Sequence, residues 1–533
     1  MNENLFLILE GLLVKNKIKV DNDELRLQLF GHPTYPSLNS LTGVLDHFKV
    51  PNLALEIPKS EENIEFLPNH FIAHIKNENG DNFALISKHN NGLRMSENGK
   101  KYEFLTYSQF IIIWTGIILG IDIDEYKKTT QDYNFKKLLV TVSPLVIVLT
   151  FIITNQNIFE SIHFFLSTIG IYVCSLIFQH ELGENSPLLD KICSGKNKKL
   201  SCADVMNSKG GKFLGILKLS DLGMIYFVFI TILSFSITLK SHDFKLLFQI
   251  SILALPFTIY SIIYQAVVVK KWCLLCLSTI SILFLQASIS YFGITSAELL
   301  QLSINLIPAL LVSLFISASF WFYISQKLKE NKQIFDLKIQ HSKFKRNFEI
   351  FKALLLRSPE LNTQIPTVNE ITFGNSNTNL EILIITNPLC SFCKNSHKII
   401  HQTLEKSPDI KIIVRFNLSN KKENTDTQIA SKLIDLYKTK GQSACIEAMN
   451  DAYNNFTPLK WIQTYGKCNN INIYNVLEKE KEWCTQNHIL FTPEVLINGR
   501  SYPKEYDFED LQHFIESLLD EEITEQSKTV LIP

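Results

Sequence analysis

The chain has 533 residues, enough for several domains at roughly 100–200 residues each. Its 52 Lys and Arg balance 52 Asp and Glu, so no basic surface points to a nucleic-acid partner. Hydrophobic residues make up 46%, but they are unevenly spread: 138–324 is mostly apolar and both flanks are polar.

No cleavable signal peptide is legible, because Glu10 interrupts the apolar run at 5–9 and no small-residue site follows. Residues 1–132 read as a small α+β domain. Helical spacing marks 5–14, 25–29 and 38–48, alternation marks strands at 71–75 and 82–86, and a turn is expected at 90–92. Apolar stretches follow at 138–154, 161–178, 222–239, 246–269, 272–292 and 302–324, each near the ~20 residues that cross a bilayer as a helix. The first is the shortest and contains Pro144, which makes 133–160 a linker with a candidate extra transmembrane helix. A polar loop, 180–218, separates the second stretch from the third. Residues 161–295 then form a membrane domain, and 296–366 a further span with a Lys-rich helical connector at 326–352.

Residues 367–533 read as soluble α/β. A strand at 380–386 runs into Cys390 and Cys393 and a helix continues to 404. A second strand at 410–416 precedes a mostly helical insertion to about 486. A strand at 494–497, a turn at Asn498 and Gly499, and a helix at 508–519 complete the order. This β–CxxC–α … β-turn-β–α sequence is a thioredoxin arrangement.

Of the ten cysteines none precedes Cys174, and six form three close pairs: Cys193/Cys202, Cys273/Cys276 and Cys390/Cys393. Cys174, in an apolar helix, reads as packing. One disulfide among Cys445, Cys468 and Cys484 stays open, with no basis for naming partners. Asn387-Pro388-Leu389-Cys390-Ser391-Phe392-Cys393 lies where a strand meets a helix. A helix N-terminus stabilises a thiolate, making Cys390 the expected nucleophile and Cys393 the resolving thiol. Half a zinc site would look the same, with His397 as the tempting third ligand, but no second CxxC stands nearby. Phe491-Thr492-Pro493-Glu494 strengthens the redox reading, because it resembles the thioredoxin superfamily over 371–519. The resemblance implies a cis Pro493 that packs beside the CxxC and helps hold the substrate chain. An ordinary trans loop proline is the alternative.

Lys271-Trp272-Cys273-Leu274-Leu275-Cys276 opens an apolar helix; alone, it could be a pair of inert thiols. With Cys193-(x8)-Cys202 in a loop between spans, it resembles the vitamin K epoxide reductase family over 161–292, a four-helix bundle. Ser208, six residues after Cys202, and the glycine-containing run Lys209-Gly210-Gly211-Lys212-Phe213-Leu214-Gly215 belong to that pattern. Ile280 departs from it, standing where vertebrate enzymes have a Tyr. The resemblance implies a quinone cofactor (menaquinone or ubiquinone), no metal, and Ser208 among the quinone contacts. It also implies a route in which Cys193 takes electrons from the thioredoxin-like domain and pairs with Cys202. Cys202 exchanges with Cys273, and Cys276 faces the quinone. The implied partners are the bilayer and thiol-containing proteins or peptides.

Residues 5–121 resemble the double-glycine-leader peptidase domains of bacteriocin-exporting ABC transporters. The resembling pieces are His32-Pro33-Thr34-Tyr35-Pro36-Ser37-Leu38, Asn82-Phe83-Ala84-Leu85, and Phe110 with Trp114-Thr115-Gly116. Papain-type catalysis needs a Cys and a His base. No cysteine precedes Cys174 and Asn82 stands at the His place, so a non-cleaving, leader-binding domain is expected; a structural cap is the alternative.

Charge and resemblance disagree on orientation. Six spans would put both soluble domains and every cysteine pair on one lysine-rich side, which the positive-inside rule reads as cytoplasmic. The resemblance implies a redox face outside the cytoplasm, which parity allows for the redox sites alone if 138–154 does not span. The expectation is a multi-pass protein of the inner (cytoplasmic) membrane with an extracytoplasmic redox face. Its activity is that of a quinone-linked protein thiol oxidase; the alternatives are a peptide maturation or export accessory and a membrane thiol reductase.

Overall fold

A computed structural model describes residues 3–77, 80–89, 92–99, 102–122, 135–154, 158–183, 201–206, 208, 212–213, 217–240, 245–293, 307–418, 421–468 and 470–521. Cys193, most of the turn expected at 90–92 and most of the glycine run 209–215 lie outside the described residues. Contacts divide the chain into two units, Met1–Lys17 with Lys49–Leu337, and Ile18–Phe48 with Lys338–Pro533.

The chain opens with α1 (Asn4–Lys15), α2 (Asn22–Phe30) and α3 (Leu38–His47), of which only α1 belongs to the first unit. Asp21 and Ser37 cap α2 and α3 by accepting backbone N–H bonds, satisfying donors that a helix start leaves orphaned. In the first unit the strands are β1 (Asn52–Glu56), β2 (His70–Asn77), β3 (Gly80–His89), β4 (Gly92–Ser96), β5 (Glu103–Leu105) and β6 (Trp114–Ile121). They form one antiparallel sheet in the order β1-β6-β2-β3-β4-β5. Two short helices, α4 (Glu61–Phe66) and α5 (Tyr107–Ile113), share the core of Phe71, Ala73, Ile75, Phe110 and Trp114. Asn82 sits half-buried on β3, opposite Ile75.

The apolar region holds α6 (Phe135–Thr154), α7 (Ile158–Glu181), the short α8 (Cys202–Met206), and a hairpin of β7 (Lys212–Phe213) and β8 (Leu217–Lys218). It continues through α9 (Leu219–Lys240), α10 (Lys245–Leu253), α11 (Leu255–Ile263), α12 (Leu274–Gly293) and α13 (Ile307–Lys345). Among the described residues five stretches are long and apolar enough to cross a membrane: Ile158–Glu181, Ser220–Thr238, Lys245–Val269, Leu274–Tyr291 and Ile307–Lys345. The chain is a multi-pass membrane protein. The 138–154 stretch is helical, within α6. The third span is not one helix. It breaks between α10 and α11, where Pro256 occupies the first turn of α11, because proline has no N–H to continue the ladder. The last span runs into the expected connector as one helix of 39 residues that ends at Lys345, short of the expected 352, about 58 Å at 1.5 Å per residue.

Within lipid the polar groups need partners inside the bundle. His163 Nε2 lies 2.7 Å from Ser251 Oγ, Gln286 Nε2 donates to Ser167 Oγ at 2.8 Å, and Trp321 Nε1 donates to Asp221 Oδ1 at 2.9 Å. Gly170 brings α7 close to α9: a Cβ there would lie 2.5 Å from the ring of fully buried Phe227. Gly170→Val should therefore overpack the bundle and cost about 1–3 kcal/mol. A lowered melting temperature of the detergent-solubilised chain would show it; an unchanged one would contradict this packing.

The second unit continues from α13 into α14 (Phe348–Leu355) and a five-stranded sheet. Its strands are β9 (Ile371–Gly374), β10 (Glu381–Thr386), β11 (Lys411–Phe416), β12 (Glu494–Ile497) and β13 (Arg500–Ser501), in the order β13-β12-β10-β11-β9. Only β10 and β11 pair in parallel. Both are buried after their first residue and, apart from Thr386 and Arg415, apolar there, as suits strands covered on both faces. The helices are α15 (Cys393–Lys406), α16 (Thr425–Lys440), α17 (Gln442–Asn450), α18 (Pro458–Tyr465) and α19 (Ile471–Gln486). The expected terminal helix is a 3₁₀ turn, Phe508–His513, followed by α-helix at 515–521. Cys445, Cys468 and Cys484 are buried thiols that do not pair with one another.

Candidate functional site

The membrane centre is built where the third span ends. The chain leaves α11 through a π-helical turn, Tyr264–Val269, and a left-handed Lys270 (φ 54°). This puts the fully buried Gln265 side chain above the head of α12, where Gln265 Oε1 accepts the Cys273 N–H at 3.0 Å. The Cys276 N–H donates to Cys273 Sγ at 3.3 Å. The Cys273 thiol is also within hydrogen-bonding reach of Cys202, which opens α8. Ser201 N–H to Trp272 O (3.1 Å) and Lys271 Nζ to Asp204 Oδ2 (2.5 Å) hold α8 against this segment. Cys202, Cys273, Val205, Leu275 and the α7 residues Leu176 and Ile177 share one buried cluster. Cys202, Cys273 and Cys276 thus meet, whereas Cys193 lies outside the described residues.

Beside them a cavity of about 260 Å³ opens, near the lower end of the ~300–1,000 Å³ usual for small-molecule sites. Its wall includes Cys276 but not Cys273, with Leu222, Phe227 and Phe257 among its apolar residues and Tyr226, Gln265 and Thr279 among its polar ones. Cys174 and Ile280 also line it. Ser208 does not; its Oγ donates to Val205 O at 2.6 Å, closing the end of α8. Among the described residues no group of three or more His, Cys, Asp or Glu could hold a metal.

The second centre follows β10. Asn387 Oδ1 accepts the Leu389 N–H at 2.8 Å and Asn387 O the Cys390 N–H at 3.0 Å, a side-chain-stabilised turn that delivers Cys393 as the first residue of α15. Cys390 is half-buried and Cys393 fully buried. The Cys390 thiol donates to Thr492 O at 3.3 Å, and the Thr492–Pro493 peptide beside it is cis. Burial works against ionisation of Cys390. Hydrogen bonds from the Thr492 and Cys393 side chains and from the Cys393 and Phe392 backbone outweigh it, leaving the thiol below its ordinary value. Burial pushes the Cys393 thiol up. Only the thiolate attacks, so at mildly acidic pH iodoacetamide should modify Cys390 ahead of Cys393. Equal or reversed rates, read by peptide mass mapping, would contradict this.

Around Cys390 the surface is apolar: Leu389, Phe392, Leu490 and Phe491 are 48%, 79%, 72% and 82% exposed. Beneath it lies a polar group that sequence reasoning missed. Thr386 Oγ1 lies 2.9 Å from both His397 Nε2 and Tyr453 Oη. Spacing offered a signal only for His397, one turn beyond Cys393, and that signal reads equally as a metal ligand.

A dithiol at the head of a membrane span and a second at the start of a helix on a five-stranded mixed sheet define a membrane thiol–disulfide oxidoreductase. Residues 161–291 match the vitamin K epoxide reductase family and residues 366–517 a thioredoxin family; the chain carries one domain of each. None of the curated proteins is similar enough to match. Solved structures similar to part of the chain include a periplasmic thioredoxin-like protein from Salmonella enterica serovar Typhimurium (14% identity, covering 32% of this chain and 97% of that one, TM-score 0.26). Others are the catalytic domain of Proteus mirabilis ScsC (16%, 28% and 89%, 0.25) and oxidised BdbD from Bacillus subtilis (12%, 28% and 93%, 0.24).

Proposed function

We propose that the chain is a quinone-linked protein thiol oxidase, its electrons passing from substrate thiols to Cys390/Cys393, then Cys193/Cys202, then Cys273/Cys276. The observation that carries this reading is the contact of Cys202 with Cys273 at the edge of an apolar cavity whose wall contains Cys276. Each transfer is thiolate attack on a disulfide: one S–S bond forms as another breaks, and two electrons move. Cys202 lies where it can attack Cys273 of the membrane disulfide with Cys276 as the leaving thiol, and Cys193 would then attack Cys202 and free Cys273. Cys390, favoured as a thiolate, would attack or be attacked first, and Cys393 would resolve. The apolar rim of Leu389, Phe392, Leu490 and Phe491 suits an extended, apolar substrate segment, with Pro493 beside the exchanging sulfurs.

The cavity fits a quinone: apolar walls match the ring, and Tyr226, Gln265 and Thr279 are the polar groups able to meet its oxygens. Bound there, menaquinone or ubiquinone would supply the two-electron acceptor. Ser208, which lies outside this wall, would then act by holding the end of α8. An even number of spans separates each cysteine pair from the next along the chain, so all three can work on one face, which we assign to the outside of the inner membrane. The same proposal gives residues 1–132 a leader-binding role without cleavage. A double-glycine leader peptide incubated with the full chain should bind and stay intact; cutting would contradict it.

Replacing Cys390 with Ser discriminates this route. A small dithiol should still drive quinone reduction through the membrane pairs, whereas a reduced peptide should not. Undiminished reduction by the peptide would remove the thioredoxin-like domain from the path.

A further inference from the structure

The Cys390/Cys393 pair rests on a polar cluster that neither packing nor the electron route demands. Thr386 closes β10 and is fully buried, while His397 and Tyr453 are 7% and 8% exposed. His397 stands one turn after Cys393 on α15, and Tyr453 comes from a π-helical turn, Asp451–Asn455, in the helical insertion. The two rings stack at 3.7 Å with 22° between their planes. Both polar tips converge on Thr386 Oγ1, each at 2.9 Å, and the Thr386 side chain is within hydrogen-bonding reach of the Cys393 thiol.

A hydroxyl has one proton to give and two acceptor sites. Burial pushes the His397 pKa down to about 3, so its ring is neutral and carries a single N–H. With that hydrogen on Nε2, His397 fills one acceptor site of Thr386 and the Tyr453 hydroxyl fills the other. The Thr386 proton then has the Cys393 sulfur as its remaining partner. We propose that Thr386, His397 and Tyr453 form a buried donor cluster that aims the Thr386 hydroxyl at the Cys393 sulfur and so sets the redox poise of the Cys390/Cys393 pair. Thr386 touches the reacting atom; His397 and Tyr453 are positioning residues. The inference rests on the reading of this pair as a redox centre.

The direction of the effect follows from which state uses the bond. In the reduced pair, Thr386 donates to Cys393, and Cys393 in turn donates to the Cys390 thiolate. Such charge-assisted chains are strengthened by one another in a low-dielectric interior. In the disulfide both sulfurs are weaker acceptors and the chain is lost. The cluster therefore stabilises the dithiol and makes the pair a stronger oxidant. The balanced couple is the disulfide plus two glutathiones giving the dithiol plus glutathione disulfide.

The test is the equilibrium of the full-length, detergent-solubilised chain in glutathione buffers. Acid quench, alkylation and mass mapping of the peptide carrying both cysteines read it. Thr386→Val should shift the pair toward disulfide by roughly tenfold, about 30 mV for a two-electron couple. His397→Phe and Tyr453→Phe keep aromatic rings in the stack and should shift it severalfold in the same direction. His397→Gln, which restores a donor, and Thr386→Ser, which restores the hydroxyl, should return it near the parent value. Parent-like equilibria in folded Thr386→Val and Tyr453→Phe chains would overturn the proposal, as would a His397→Gln shift equal to that of His397→Phe. A parent chain whose Cys390 and Cys393 form no disulfide in any buffer would overturn the redox reading itself, before any variant is compared.

Discussion

Cys276→Ala should abolish turnover and leave a chain cross-linked between Cys202 and Cys273. The backbone already holds these three sulfurs together: Cys276 N–H meets Cys273 Sγ, and the Cys273 thiol reaches Cys202. With Cys276 gone, Cys273 can still attack a loop disulfide at Cys202, freeing Cys193, but the Cys273–Cys276 disulfide that would displace Cys202 can no longer form. Cys276 is also the member of the pair in the cavity wall, so its loss removes both the disulfide partner of Cys273 and the contact with the acceptor. Non-reducing peptide mapping of the oxidised variant should find the Cys202–Cys273 bond as the main cross-link of the membrane domain. A variant that accumulates no such bond, or that turns over, would mean the roles within the relay are assigned wrongly.

Glu370→Ala should unfold the C-terminal domain more readily by about 3–5 kcal/mol, the usual cost of stripping the partner from a buried ion. Arg415, on β11 beside β10, is 0% exposed. Its Nε and one terminal nitrogen hold the two Glu370 oxygens at 2.6 and 2.7 Å, and the guanidinium lies 4.0 Å above the Trp483 ring. The nearby Glu480 carboxyl is already engaged: burial, then the neighbouring Glu370, raises its pKa, and it accepts the Phe416 N–H. Trp483 makes denaturant unfolding of this region visible by fluorescence. A loss below about 1 kcal/mol would show the Arg415 charge to be solvated after all.

The cysteine spacings were legible because redox chemistry fixes them along the chain: CxxC at a strand–helix junction, and CxxC at the head of an apolar helix. The spans were legible for a similarly local reason, since lipid imposes length and apolarity on each segment by itself. What stayed hidden is non-local. The strand β6 follows directly on α5 in the apolar run 110–121, where periodicity cannot separate a buried strand from a helix. The break between α10 and α11 and the π turn after it had only Pro256 and Gln265 as signals, inside a stretch whose overall hydropathy reads as one span. The meeting of Thr386, His397 and Tyr453 joins a strand, the redox helix and the distant insertion, and no window of sequence contains it. The cis Thr492–Pro493 bond was expected from resemblance rather than from composition.

The central claim is that substrate thiols reduce a quinone through this chain. Purified protein in detergent, given a menaquinone or ubiquinone analogue and a reduced dithiol peptide, should bleach the quinone absorbance in step with disulfide formation, one quinone per disulfide. The Cys276→Ala chain should not. Peptide oxidation without quinone reduction, or quinone reduction that persists in the Cys276→Ala chain, would contradict the account.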